Sequence, residues 1–123
     1  MIQEDYVSFE TAKLLKEKGF DEKCRALYTF WFDEVEGPKE DEAENWNIEP
    51  KYFSAPTLQM AMKWLREVHK LAINIEFQID SPTWKWRVYH IEPSEDKHTN
   101  FQHYNTYEQA CEAGIRYCLE NLI

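Results

Sequence analysis

Glycine is scarce in this chain: Gly19, Gly37 and Gly114 are the only three, and they lie far apart. A loop that cradles phosphate with its backbone N–H groups needs several glycines close together, so that chemistry is set aside. Cysteine is equally sparse, three residues in odd count. Cys111 and Cys118 fall two turns apart on an expected helix, about 10 Å and too far for a disulfide. Unpaired thiols suit a reducing compartment, so a cytoplasmic location is expected. No apolar run approaches the roughly 20 residues of a bilayer-spanning helix. The start, Met1-Ile2-Gln3-Glu4-Asp5-Tyr6, has no cationic stretch leading into an apolar one, so no signal peptide is expected.

Positive charge is the other shortage. Fourteen Lys and Arg stand against 23 Asp and Glu, a net charge of −9. Duplex binding relies on a clustered basic patch that displaces condensed counterions, and none is present. Direct nucleic-acid binding is therefore not expected, and neither is docking on an anionic membrane. A basic protein is the partner class this balance leaves open.

What the chain does have is apolar material at helix and strand periods. Its 123 residues are 43% hydrophobic, 15% aromatic and 30% charged, enough for the core of one globular domain spanning 1–123. Ser8 and Glu10 open a helix over about 9–18; Gly19 ends it in a left-handed turn, with Phe20 packing back. Cys24 to Phe32 is rich in β-formers and reads as a strand. Asp33, Glu34, Glu36, Glu40, Asp41, Glu42 and Glu44 follow against a single Lys39, with Gly37-Pro38 as a turn signal. This segment, about 33–45, reads as a solvated acidic loop or an acidic docking surface. Residues 47–54 read as a short strand pairing back on the first, confined to an edge or interrupted by Pro50.

Pro56 sits near the start of a second helix, whose stripe is Leu58, Ala61, Met62, Leu65, Val68 and Ala72. The period then drops to two. Ile73, Ile75, Phe77 and Ile79 alternate with polar residues. Past Ser81-Pro82-Thr83, Trp84, Trp86 and Val88 alternate with Lys85, Arg87 and Tyr89. As a hairpin, the apolar sets share one face and Glu76, Gln78 and Asp80 oppose Lys85 and Arg87. Pro93 to Asn105 is polar and turn-rich. Thr106 and Gln109 form a capping box for a last helix, in which mid-helix Gly114 points to close approach of another backbone. Lys13-Leu14-Leu15-Lys16-Glu17 echoes Lys63-Trp64-Leu65-Arg66-Glu67, as two helix-plus-hairpin units and a closing helix would explain. The expected architecture is α+β, α-β-(β)-α-β-β-α, with one antiparallel sheet of three or four strands covered by helices on one face.

Three strings resemble a small family of uncharacterised proteins of gut Bacteroidales associated with phage-like or integrated mobile DNA. They are Tyr6 to Phe20, Ala55 to His69, and Tyr107 to Ile123, roughly half of the chain. The resemblance implies an accessory role in a mobile element and assigns no activity and no site residue.

No catalytic signature stands out among the histidines, cysteines and tryptophans. His98 and His103 share a loop with Glu95 and Asp96, yet there is no Cys pair or i, i+4 His pair, and no metal or cofactor is expected. His69 suits the dipole at a helix end, and His90 reads as a strand-end core residue. Cys24, Cys111 and Cys118 lie in apolar settings where a thiol acts as a small hydrophobe. The alternate tryptophans read as core rather than a base-stacking platform, because Lys85 and Arg87 point to the opposite face. Three function classes follow. The first is a non-enzymatic interaction or accessory protein using Asp33 to Glu44. The second is an acidic mimic of nucleic acid that also uses Glu108, Glu112 and Glu120. The third is a small enzyme without a recognisable motif.

Overall fold

The Ser8 hydroxyl accepts the Thr11 N–H at 3.3 Å and starts α1, Phe9–Glu17. At its other end Gly19, at φ +87°, donates to the Lys16 carbonyl, and Phe20 donates to Leu15. This Schellman ending buries Phe20 as the sequence predicts. The computed structural model describes residues 1–92, 97–99 and 102–123.

The element order is α-β-β-β-α-β-β-β-α, an α+β fold. The chain divides into two compact units, Met1–Thr57 and Leu58–Ile123, each with its own three-stranded antiparallel sheet. The single sheet of three or four strands is thus replaced by two. Each unit runs helix then three strands, the order hinted at by the repeated helix string.

In the first unit the strands are β1 (Cys24–Trp31), β2 (Glu34–Glu44) and β3 (Tyr52–Ser54), ordered β2-β1-β3. Phe9 of α1 packs on one face of β1 and β3, with ring centroids 5.7 Å from Tyr28, 6.3 Å from Phe30 and 5.1 Å from Phe53. The acidic segment expected as a loop is strand β2. Gly37-Pro38 makes no turn; it falls at a bulge, where Leu27 pairs with Lys39 but Thr29 with Glu36. A Cβ at Gly37 would lie 2.7 Å from the Leu27 carbonyl oxygen, so only glycine fits that approach, at φ +122°. The expected strand over 47–54 shortens to β3, because a 3-10 helix at Trp46–Ile48 comes first. β3 does pair back on β1.

The second unit holds α2 (Leu58–Val68), β4 (Leu71–Gln78), β5 (Thr83–His90), β6 (Lys97–Thr99) and α3 (Tyr107–Asn121), with sheet order β4-β5-β6. Ile73 pairs with Val88, Ile75 with Trp86 and Phe77 with Trp84, and Glu76 lies 3.1 Å from the Nε of Arg87. The predicted hairpin is present, and of its expected charge pairs Glu76 alone meets Lys85 and Arg87, since Gln78 pairs with Thr83 and Asp80 lies past the end of β4. Trp86 is only 1% exposed and tilts over Tyr117 at 4.7 Å, while Trp84 is wedged between Phe77 and Tyr107. These tryptophans are packing residues.

Four details differ from expectation. The α2 stripe stops at Leu65: Val68 is exposed, and Ala72 belongs to β4, because Lys70 at φ +57° turns the chain. The hairpin's apolar face is sealed only at its inner end, leaving Phe77 half-exposed against Trp84 and Ile79 in solvent. β6 arises inside the segment read as turns. Gly114 admits side chains rather than a backbone, since a Cβ there would meet Ile73 Cγ2 at 3.1 Å and Trp86 Cβ at 3.3 Å. The Thr106 cap accepts the Gln109 N–H at 3.1 Å, and Gln109 reaches back to the Asn105 N–H.

Candidate functional site

β2 is an edge strand with all eleven residues exposed. Its stability comes from backbone pairing to β1, whose own side chains are mostly buried. The strand therefore displays its carboxylates without a core role. Glu36 pairs with Lys39 at 3.1 Å, Glu40 accepts the Tyr6 hydroxyl at 2.8 Å, and Asp41 accepts the Glu42 N–H. Asp33 sits apart from the ladder, in the turn that joins β1 to β2.

That turn has two residues, Phe32 and Asp33, at φ +50° and +61°, as a type I′ hairpin requires. Asn-Gly is the favoured pair there, and a bulky residue in the left-handed region costs about 1–2 kcal/mol. Phe32 is nevertheless 97% exposed at this tip, beside Trp31 at 49% and exposed Val35. Charges, proline and bulges keep an open sheet edge from pairing with other chains, and β2 has all of them. Edge protection does not call for aromatic residues in solvent.

On the side of β1 that carries Trp31, the chain forms a cleft of about 520 Å³. Register places Tyr52 opposite Thr29, hence on the Trp31 face, and the 3-10 helix brings Trp46 to the same place. The Tyr52 ring lies 6.5 Å from Trp31 at 78°, and 6.1 Å from Trp46 at 69°. Glu44 and Glu49 line the same cleft, with exposed Ile48. Trp46 is fixed from below, its indole N–H donating to the Cys24 carbonyl at 2.9 Å.

The remaining sequence-flagged residues scatter. His98 and His103 do not converge: His98 Nε2 lies 3.0 Å from His90 Nε2, and His103 Nδ1 lies 2.7 Å from the Thr83 hydroxyl. Glu95 and Asp96 lie outside the described residues. Among the described residues no group of three or more His, Cys, Asp or Glu could hold a metal ion. His69, expected as a cation at a helix end, instead sets its ring 4.7 Å from Trp64, and burial holds its pKa below the ordinary imidazole value. Burial pushes the Cys24 and Cys118 thiols up to about 12 and Cys111 to about 11, leaving little thiolate for nucleophilic chemistry. On α3, Glu108 and Glu120 are exposed, Glu112 is half-buried, and Glu120 pairs with Arg116 at 3.1 Å. No helix among the described residues is long and apolar enough to cross a membrane.

Sequence reasoning singled out the acids of β2 but missed the cleft. The available signal was that Trp31, Trp46 and Tyr52 flank the acidic run on both sides. No protein-family model matches the chain, and no curated protein or solved structure matches it either.

Proposed function

We propose that the chain is a non-enzymatic interaction protein that docks a basic protein along the β1–β2 hairpin, in the cytoplasm, as an accessory of a mobile element. One observation supports the docking reading above all others. The exposed aromatic tip, Trp31 and Phe32, adjoins a fully exposed acidic strand. Aromatic anchors beside charges are the composition of protein-binding surfaces, where rings supply most of the affinity and charges supply encounter rate and register. The three free, buried cysteines support a reducing compartment. The string resemblance supports the mobile-element role.

The test is capture from the native host's lysate with two variants run beside the wild-type chain. Charge reversal of Glu34, Glu36, Glu40 and Glu42 to Lys should abolish capture of one reproducible basic protein. Reversal of Glu108 and Glu120 should leave it intact. Equal loss in both, or no reproducible partner, contradicts the reading.

A narrower second reading has its own support. Six carboxylates, Glu34, Glu36, Glu40, Asp41, Glu42 and Glu44, stand exposed along this one strand, a concentrated line of negative charge of the kind a phosphate backbone presents. On that reading the partner binds nucleic acid, and added duplex DNA releases it. A partner that DNA cannot displace excludes the mimic while leaving basic-protein docking in place.

A further inference from the structure

We infer that the cleft walled by Trp31, Trp46 and Tyr52 receives an alkylated ammonium group, an N-methylated lysine side chain of the docked basic protein. The inference rests on the docking reading of the same hairpin and adds the chemistry of its anchor.

The shape of the cleft selects the ligand. Tyr52 stands nearly perpendicular to both tryptophans, at 78° and 69°, so the rings make corners rather than a parallel slot. A planar guanidinium stacks best on flat, parallel faces. A round quaternary ammonium touches several ring faces at once from inside a corner, each attracting it through the ring quadrupole. A volume of about 520 Å³ admits such a head group together with its alkyl stem.

Hydrogen-bonding capacity points the same way. An unmodified lysine ammonium carries three N–H donors and is strongly hydrated, so it enters a ring-lined cleft only if acceptors replace its water. Ring faces offer poor acceptors. Trimethylation removes all three donors and keeps the charge, which Glu44 and Glu49 on the cleft wall complement. Lys51 is the single cation among the lining residues. Its Nζ lies 5.7 Å from the centroid of Phe30, on the opposite face of β1 from Trp31. The Lys51 charge is thereby drawn off the cleft, while the Lys16 ammonium is engaged by the Glu49, Pro50 and Tyr52 backbone carbonyls.

Access and rigidity complete the case. Trp31 is about half exposed, so the cleft is open in the free chain. Trp46 is held by its bond to Cys24, and the Tyr52 backbone by the Lys16 ammonium at 2.8 Å. Two walls are thus preformed, which reduces the entropy lost on binding.

The test uses the full chain and three lysine-rich peptides of one sequence, carrying at one position lysine, trimethyllysine, or its neutral tert-butyl isostere. Binding is followed through the indole N–H resonances. The trimethylated peptide should bind at least tenfold more tightly than the other two. Trp31→Ala should erase that margin, weakening the trimethylated peptide at least tenfold more than the lysine peptide, and Trp31→Phe should retain part of it. Equal affinity for lysine and trimethyllysine peptides overturns the inference but not the docking reading. Equal affinity for the isostere shows a merely apolar cleft and overturns it as well. Failure of all three peptides to bind overturns the inference, while the lysate capture decides the docking reading. Tetramethylammonium ion binding as tightly as the trimethylated peptide would overturn the partner side chain as the source and point to a free small molecule.

Discussion

The Nζ of Lys16 donates to the carbonyl of Tyr52 at 2.8 Å, and through this bond α1 holds the strand that forms one wall of the cleft. The same ammonium donates to the Glu49 carbonyl at 2.6 Å and to that of Pro50 at 3.4 Å, and it lies 4.6 Å from the Phe53 ring. One cation therefore gathers the carbonyls of the turn that carries Glu49 and Tyr52. Replacing Lys16 with Met keeps the aliphatic stem and removes the donors. It should lower the unfolding free energy by about 2 kcal/mol, a fair figure for charged hydrogen bonds. Urea unfolding measures the loss, and the indole signal of Trp46 should shift without one for Trp84.

The tip of the β1–β2 hairpin should trade stability against binding. Phe32→Asn with Asp33→Gly installs the pair preferred at two left-handed positions. The double variant should gain about 1 kcal/mol in denaturant unfolding, since the strain of Phe32 is relieved. It should also capture the basic partner more weakly, having lost an exposed ring. A gain in stability with unchanged capture would place the anchor elsewhere.

Gly114 should resist replacement by alanine even though it sits inside a helix. Alanine gains about 1 kcal/mol in helix propensity, but its methyl presses on Ile73 and Trp86, and overpacking costs about 1–3 kcal/mol. Trp86 is fully buried and cannot swing aside. The net expectation is a loss of about 1 kcal/mol in Gly114→Ala, read as a lowered melting temperature.

His69 gives the chain a pH dependence of defined sign. Its pKa in the folded state lies below the unfolded value of 6.5, because burial disfavours the imidazolium. The unfolded chain thus binds more protons across that window, and stability falls as pH drops from 6.5 through the folded value. Above 6.5 the contribution is fully present. His69→Phe keeps the ring against Trp64 and removes the titration. Its denaturation midpoint should fall less than that of the wild-type chain between pH 7 and pH 5.

How much of this was legible in the sequence depended on whether side chains or backbone carried the structure. Ser8, Gly19 and Thr106 mark helix ends by local chemistry, and all three hold. Ile73 to Trp86 alternates because one face is covered, so the hairpin reads directly. β2 has no covered face; its eleven residues are exposed, and backbone pairing with β1 alone makes it a strand. Without alternation, seven acids and a Gly-Pro read as a loop. The end of α2 was hidden for a related reason, since Lys70 takes a left-handed conformation without the glycine that announces one. The cleft depends on register, which sets Tyr52 beside Thr29 and so beside Trp31, and no local pattern encodes that meeting.

Hydrogen exchange on the full chain, with and without the captured basic protein, reaches the central proposal most directly. Docking along the hairpin predicts slowed exchange for the amides from Trp31 through Glu44 and for Tyr52. Slowed exchange confined to Tyr107–Asn121, with the hairpin amides unchanged, would contradict it.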